Sequence, residues 1–133
     1  MKATVLAEGV AAGEALVLDE PLSLWGGVDP TTGVIIDARH PQLGASVRDR
    51  ILVMPSARGS SSSSSVLAET VRAGCAPAAI LLGEPDLILA VGAAVADELY
   101  GRRVPILVLG ASDLASIGDG ASLRVAGAEV TIG

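Results

Sequence analysis

Aromatic residues are almost missing from this chain, which has no phenylalanine, one tryptophan (Trp25) and one tyrosine (Tyr100) among 133 residues. Half of the residues are hydrophobic, enough for one domain, so the core must be built from Val, Ile, Leu and Ala. That texture suits closely packed strands and short helices. Cysteine is down to one, Cys75. A single thiol excludes a disulfide framework, and it excludes a zinc or iron–sulfur site assembled from this chain alone. Basic residues are outnumbered nine to fifteen by acidic ones, for a net charge of -6. The basic clusters are short pairs, Arg48 with Arg50 and Arg102 with Arg103, and the latter reads as a solvated turn. With no aromatic platform for stacking bases, a nucleic-acid partner is excluded. No apolar run reaches the roughly 20 uncharged residues that span a bilayer, and the start MKATVLAEGV carries no signal-peptide core. No membrane partner and a cytoplasmic location are expected.

What is present alternates strand-like and helix-like segments. Thr4–Leu6 and Glu14–Asp19, with Gly9 and Gly13 marking a turn between them, read as a strand hairpin. Leu22–Pro30 and Gly33 form a glycine-dense loop before an expected strand Val34–Asp37. Such a loop is either a binding element or a tight connection. Arg50–Pro55 reads as a buried strand, and Val66, Leu67, Thr70 and Val71 share one face of a helix that Gly74 stops. Ala78–Leu82 is a further strand. Asp86 caps a second helix in which Leu87, Ile88, Val91, Val95 and Leu99 recur at helical spacing. Pro105–Leu109, Ser122–Ala126 and Glu129–Ile132 complete the chain, the last two as a hairpin. The class is α/β, with a mixed sheet or two packed sheets and short helices.

Six consecutive serines, Ser60 to Ser65, resemble a linker when taken alone. Here they are bounded by a strong strand and an amphipathic helix, a position where a linker has no purpose. A loop that opens a helix gathers free N–H groups and the positive end of the helix dipole. With serine hydroxyls added it makes an anion cradle, which Gly59 would let a ligand approach and to which Arg58 would add a charge-assisted contact. The same surroundings favour the deprotonated form of a hydroxyl. The serines before Val66 are good N-caps, and Ser65 is the expected helix cap. The Walker A and nucleophile-elbow patterns both fail: no Lys follows the serines, and no Gly stands two residues after any of them. His40, the only histidine, reads as a loop-packing residue rather than a triad member, and Cys75 as packing.

The segments Gly26-Gly-Val-Asp-Pro-Thr-Thr-Gly33, Ala38-Arg-His-Pro41, Arg58-Gly-Ser-Ser-Ser-Ser-Ser-Ser-Val-Leu-Ala68 and Ala76-Pro-Ala-Ala-Ile80, taken in order, make the chain resemble the small subunit of aconitase X. The resemblance covers nearly the whole chain. It implies a single swivelling β/β/α domain over residues 1–133, like the fourth domain of aconitase. It implies a heterodimer with a large subunit that holds an iron–sulfur cluster through its own cysteines, so that this chain has no cofactor or metal. Aconitases carry a Gly-Ser-Ser-Arg turn whose first serine is the catalytic base; Gly59-Ser60-Ser61 match it, which makes Ser60 that base. Ser62 stands where the arginine would be, so the citrate-type second carboxylate is not expected in the substrate. Arg58, Gly59, Ser61 and Ser62 would hold an anionic hydroxy acid around Ser60, with Gly26, Gly27 and Asp29 facing the same cleft. The resemblance implies a hydro-lyase, with cis-3-hydroxy-L-proline as substrate or, as an alternative, mevalonate 5-phosphate. From another class, a non-catalytic anion-binding or phosphohistidine carrier module competes, but His40 lacks the glycine- and serine-flanked setting of such carriers.

Overall fold

A computed structural model describes residues 1–58 and 60–133. Among the described residues, seven strands form one mixed sheet in the order β1-β5-β4-β3-β2-β6-β7: β1 Thr4–Ala7, β2 Val10–Val17, β3 Ile51–Met54, β4 Ala79–Leu82, β5 Ile106–Val108, β6 Ser122–Ala126 and β7 Glu129–Ile132. The four central strands β2 to β5 are parallel, and β1, β6 and β7 are antiparallel to their neighbours. The sheet curls until its edges meet. Lys2 bridges Glu129, and Val130 N–H donates to Met1 O at 2.9 Å.

Closure gives each central strand two covered faces, which is why β3 and β4 read as unbroken apolar runs. Ile51, Val53, Leu81 and Leu107 point into the curl with Leu123, Val125 and Val130. Leu52, Met54, Ile80, Leu82 and Ile106 point outward, beneath α2 (Ser63–Arg72), α3 (Leu87–Tyr100) and the segment 18–47. Each fully buried Leu or Ile contributes about 1.5 to 3 kcal/mol.

Four expectations are corrected. The first two strands exist but do not pair as a hairpin. β1 lies against β5, while β2 runs between β3 and β6. Gly9 permits this divergence by lying against the Pro105 ring, where a Cβ would sit 2.8 Å away. Gly13 is inside β2 rather than in a turn. Val34–Asp37 is no strand of the sheet; Val34 and Ile35 make single bridges, to Ser46 and Val28. Gly33 and Gly44, at φ 76° and 91°, fold the chain back on either side of it. The serine helix begins at Ser63, so Ser65 lies exposed inside its first turn and is not the cap.

The fourth correction concerns α3. Asp86 caps it, Oδ1 accepting from Leu89 N–H at 3.0 Å. The buried face, however, is Leu89, Gly92, Ala93 and Ala96, whereas Leu87, Val91, Val95 and Leu99 face solvent. Small residues win because they let α3 approach α2 closely: a Cβ on Gly92 would lie 2.8 Å from Ser64 O.

Candidate functional site

β3 ends at Met54, and the chain then crosses to the start of α2. Among the serines, Ser60 O accepts Ser63 N–H at 2.9 Å, and Ser60 Oγ accepts Ser62 N–H at 3.3 Å. Ser64 Oγ donates to Ser61 O at 2.8 Å. Ser62 is the N-cap by position, but its backbone is already right-handed helical and its hydroxyl makes no capping bond. No acidic residue occupies the first turn, so nothing there offsets the positive end of the helix dipole. Ser60 is half-buried and Ser61 exposed. The result is an anion-attracting rim whose best-placed hydroxyl oxygen already receives one backbone donor. Such a donor strengthens as the oxygen gains negative charge.

A second loop is tied to this rim. The buried Ser63 Oγ accepts Trp25 N–H at 3.2 Å. Leu24–Gly27, labelled α1, is in backbone terms a type II turn: Trp25 at φ -68°, ψ 117° and Gly26 at φ 75°, ψ -10°. Gly26 supplies the left-handed angle, and Gly27 leaves room for Leu22, whose Cδ1 would lie 2.9 Å from a Cβ. The tip of the turn holds the indole of Trp25, 59% exposed. Trp25 and Ser63 escaped the sequence reading. The only signal for Trp25 was the glycine after it, which a type II turn requires in its third position.

Asp29 is not brought to the rim. Its Oδ1 accepts from Thr31 N–H at 2.9 Å and from Thr31 Oγ1 at 2.7 Å. The side-chain bond from Thr31, with the backbone bond second, holds the carboxyl below the ordinary aspartate value. The loop it organises packs on the segment that follows α2: Cys75 Sγ donates to Pro30 O at 3.4 Å, and a Cβ on Gly33 would lie 2.6 Å from Cys75 O. Asp29 thus sits at the far end of the helix from Ser60. Burial, the largest cause, pushes the Cys75 thiol up.

Arg58 is exposed at the rim, with an N–H on Leu22 O at 3.3 Å and Glu20 Oε1 3.7 Å from its guanidinium. A pair so exposed holds it weakly. Gly59 lies outside the described residues. His40 is buried in the 18–47 segment, Nε2 on Glu20 O at 3.0 Å and Nδ1 accepting Gln42 N–H at 3.1 Å, so its ring is engaged on both sides in loop packing. A cavity of about 410 Å³ opens at the same strand ends, between Met54, Pro55, Gly83, Glu84 and Leu114. Its lining is nearly all apolar, and none of the serines contributes to it.

A curled mixed sheet with helices on its outer face, and a polar helix-opening loop beyond its parallel strand ends, defines the swivelling β/β/α class. The model of the aconitase X swivel domain matches residues 1–133, and the chain belongs to that family. It is 53% identical over 105 residues, 79% of its length, to the cis-3-hydroxy-L-proline dehydratase of Pseudomonas aeruginosa, but covers only 18% of that protein. It is 34% identical over 130 residues to the phosphomevalonate dehydratase small subunit of Methanosarcina acetivorans, covering 97% of this chain and 86% of that one. A crystal structure of Thermococcus kodakaraensis aconitase X in its holo-form superposes with TM-score 0.87 and 35% identity, over 98% of this chain and 95% of the other.

Proposed function

We propose that this chain is the swivelling wall of a two-part aconitase-X-type hydro-lyase, in which Ser60 removes the proton as water is eliminated from a small hydroxy acid. The observation that carries the reading is Ser60 Oγ at the opening of α2 with Ser62 N–H already directed at it. In alkoxide form, that oxygen takes the proton from the substrate carbon. The C–H pair becomes the new double bond, Ser60 ends as a neutral hydroxyl, and the substrate hydroxyl departs as hydroxide, which takes a second proton from solvent to become water. Arg58 and the amides opening α2 hold the substrate anion, with Ser61 and Ser62 beside them. Trp25 and Gly26 form the neighbouring edge of the cleft.

The iron–sulfur cluster of such an enzyme does not fit this chain. Its one cysteine is buried beneath the Asp29 loop, away from the rim, and among the described residues no three metal-ligating side chains converge. In this reading the cluster is held by a large, cytoplasmic partner subunit. The 53% identity to a hydroxyproline dehydratase favours cis-3-hydroxy-L-proline as substrate over mevalonate 5-phosphate.

The test is Ser60→Ala in the assembled two-part enzyme, assayed on both substrates. A group acting in the transition state predicts a kcat lower by roughly 10² to 10⁴ with KM nearly constant. An assembled variant that turns over at the wild-type rate would end the assignment of the base. Turnover of phosphomevalonate alone by the unaltered enzyme would move the substrate to the other branch.

A further inference from the structure

α3 presents a ridge that its own fold does not use. Leu87, Val91, Val95 and Leu99 follow one another at four-residue intervals and are 72%, 55%, 38% and 65% exposed. With Tyr100 they are half of the ten exposed large hydrophobic residues among the described residues. A shallow groove of about 430 Å³ runs along the ridge between Val91, Ala94, Val95, Glu98 and Leu99. Contiguous apolar surface of this kind marks an interaction site, whereas single exposed residues do not.

We infer that this ridge is a docking surface for the large, cluster-bearing subunit, an inference that rests on the function proposed above. Two observations choose that occupant. The hydroxyproline dehydratase relatives match this chain over only 18% and 19% of their length, so about four-fifths of such a chain lies outside the match and is available to cover an apolar face. The ridge also begins beside the rim, because α3 starts just after the end of β4 and its Gly92 rests on Ser64 of the serine helix. A subunit closing over Ser60 therefore reaches Leu87 without leaving the surface. Asp97 is already paired with Arg103 at 3.4 Å, which leaves Glu98 as the charge lining the groove. The complementary face is an apolar strip with a basic residue at its border.

The experiment titrates the chain into the purified large aconitase X subunit of the same organism, with sedimentation of each species alone and mixed. Val91→Glu/Val95→Glu sits on exposed positions and should keep the wild-type melting temperature while weakening association roughly 10- to 100-fold. Glu98→Lys should weaken it less and make it less salt-sensitive. Val10→Glu, an exposed apolar position on β2, should assemble as wild type. Unchanged affinity of the double variant overturns the inference and leaves the Ser60 proposal standing if the wild type assembles and turns over. Wild-type chain that never binds the large subunit overturns both. Loss of self-association alone, with hetero-assembly intact, assigns the ridge to a second copy and also overturns it.

Discussion

The two ends of α2 look alike in sequence and differ in structure. Each carries a glycine, Gly59 or Gly74, and each is tied to the Leu22–Gly33 loop, by Trp25 to Ser63 at one end and by Cys75 to Pro30 at the other. At the C-terminal end the polar groups are engaged by the fold: Gly74 turns left-handed, Cys75 N–H bonds Thr70 O at 2.9 Å, Glu69 pairs with Arg72, and Asp29 Oδ1 accepts two bonds from Thr31. At the N-terminal end five hydroxyls from Ser60 to Ser64 share a handful of long or local bonds, and the helix dipole is unopposed by any acid in the first turn. A polar segment whose groups are satisfied internally is architecture. One whose hydroxyls share only long or local bonds has capacity left for binding.

The contrast can be broken with paired glycine substitutions. Gly33 and Gly26 share a left-handed backbone, φ 76° and 75°, but a Cβ on Gly33 meets Cys75 O at 2.6 Å while one on Gly26 meets nothing within 4 Å. Gly33→Ala combines backbone strain with overpacking and should cost about 2 to 5 kcal/mol in denaturant unfolding. Gly26→Ala should cost only the strain, about 1 to 2 kcal/mol, and should disturb substrate affinity more than stability. Equal losses at both positions would mean that the two ends are equally packed.

Asp29 sharpens the same point through pH. Its carboxyl is held below the ordinary value, chiefly by the Thr31 side chain, so the folded state favours the ionised form. That contribution is present above pH 3.8, the unfolded reference, and is lost as pH falls through the lower folded value. The melting temperature of Asp29→Asn should therefore lie below that of the wild type at neutral pH, with the gap closing in acid. Turnover by the assembled variant should be near normal. A large loss of kcat with unchanged stability would return Asp29 to the site.

Local signals carried the parallel core. Ile51–Met54 and Ala79–Leu82 are four-residue apolar runs between turn residues, and Asp86 and Gly74 mark helix ends by chemistry that acts within one turn. Features decided across the chain were not legible. Whether β1 pairs with β2 or β5 depends on how Gly9 meets Pro105, nearly a hundred residues later. In α3 both faces are apolar, so periodicity selects the bulkier one, whereas close approach to α2 selects Gly92, Ala93 and Ala96. That a serine loop opens a helix was readable, because strand, loop and helix follow in order. That Asp29 belongs to the opposite end was not, since only Gly27 and Val28 separate it from Gly26 in sequence.

The smallest effect is expected at Ser65, where sequence position alone suggests a cap worth about 0.5 to 2 kcal/mol. The helix begins two residues earlier, and Ser65 stands exposed in its first turn. A serine there competes with the backbone for hydrogen bonds, which alanine does not do, and alanine is the better helix former by about 0.5 kcal/mol. Ser65→Ala should thus leave stability unchanged or raise it slightly, with kcat intact because the rim hydroxyls lie upstream. Ser63→Ala, by contrast, removes the acceptor of Trp25 N–H at 3.2 Å and should cost about 1 kcal/mol while loosening the Trp25 turn. Intrinsic Trp25 fluorescence reads that turn directly, since the indole is the only one in the chain. A shifted emission in Ser63→Ala with none in Ser65→Ala places the boundary between rim and helix at Ser63. The reverse pattern would move the cap, and with it the rim, toward Ser65.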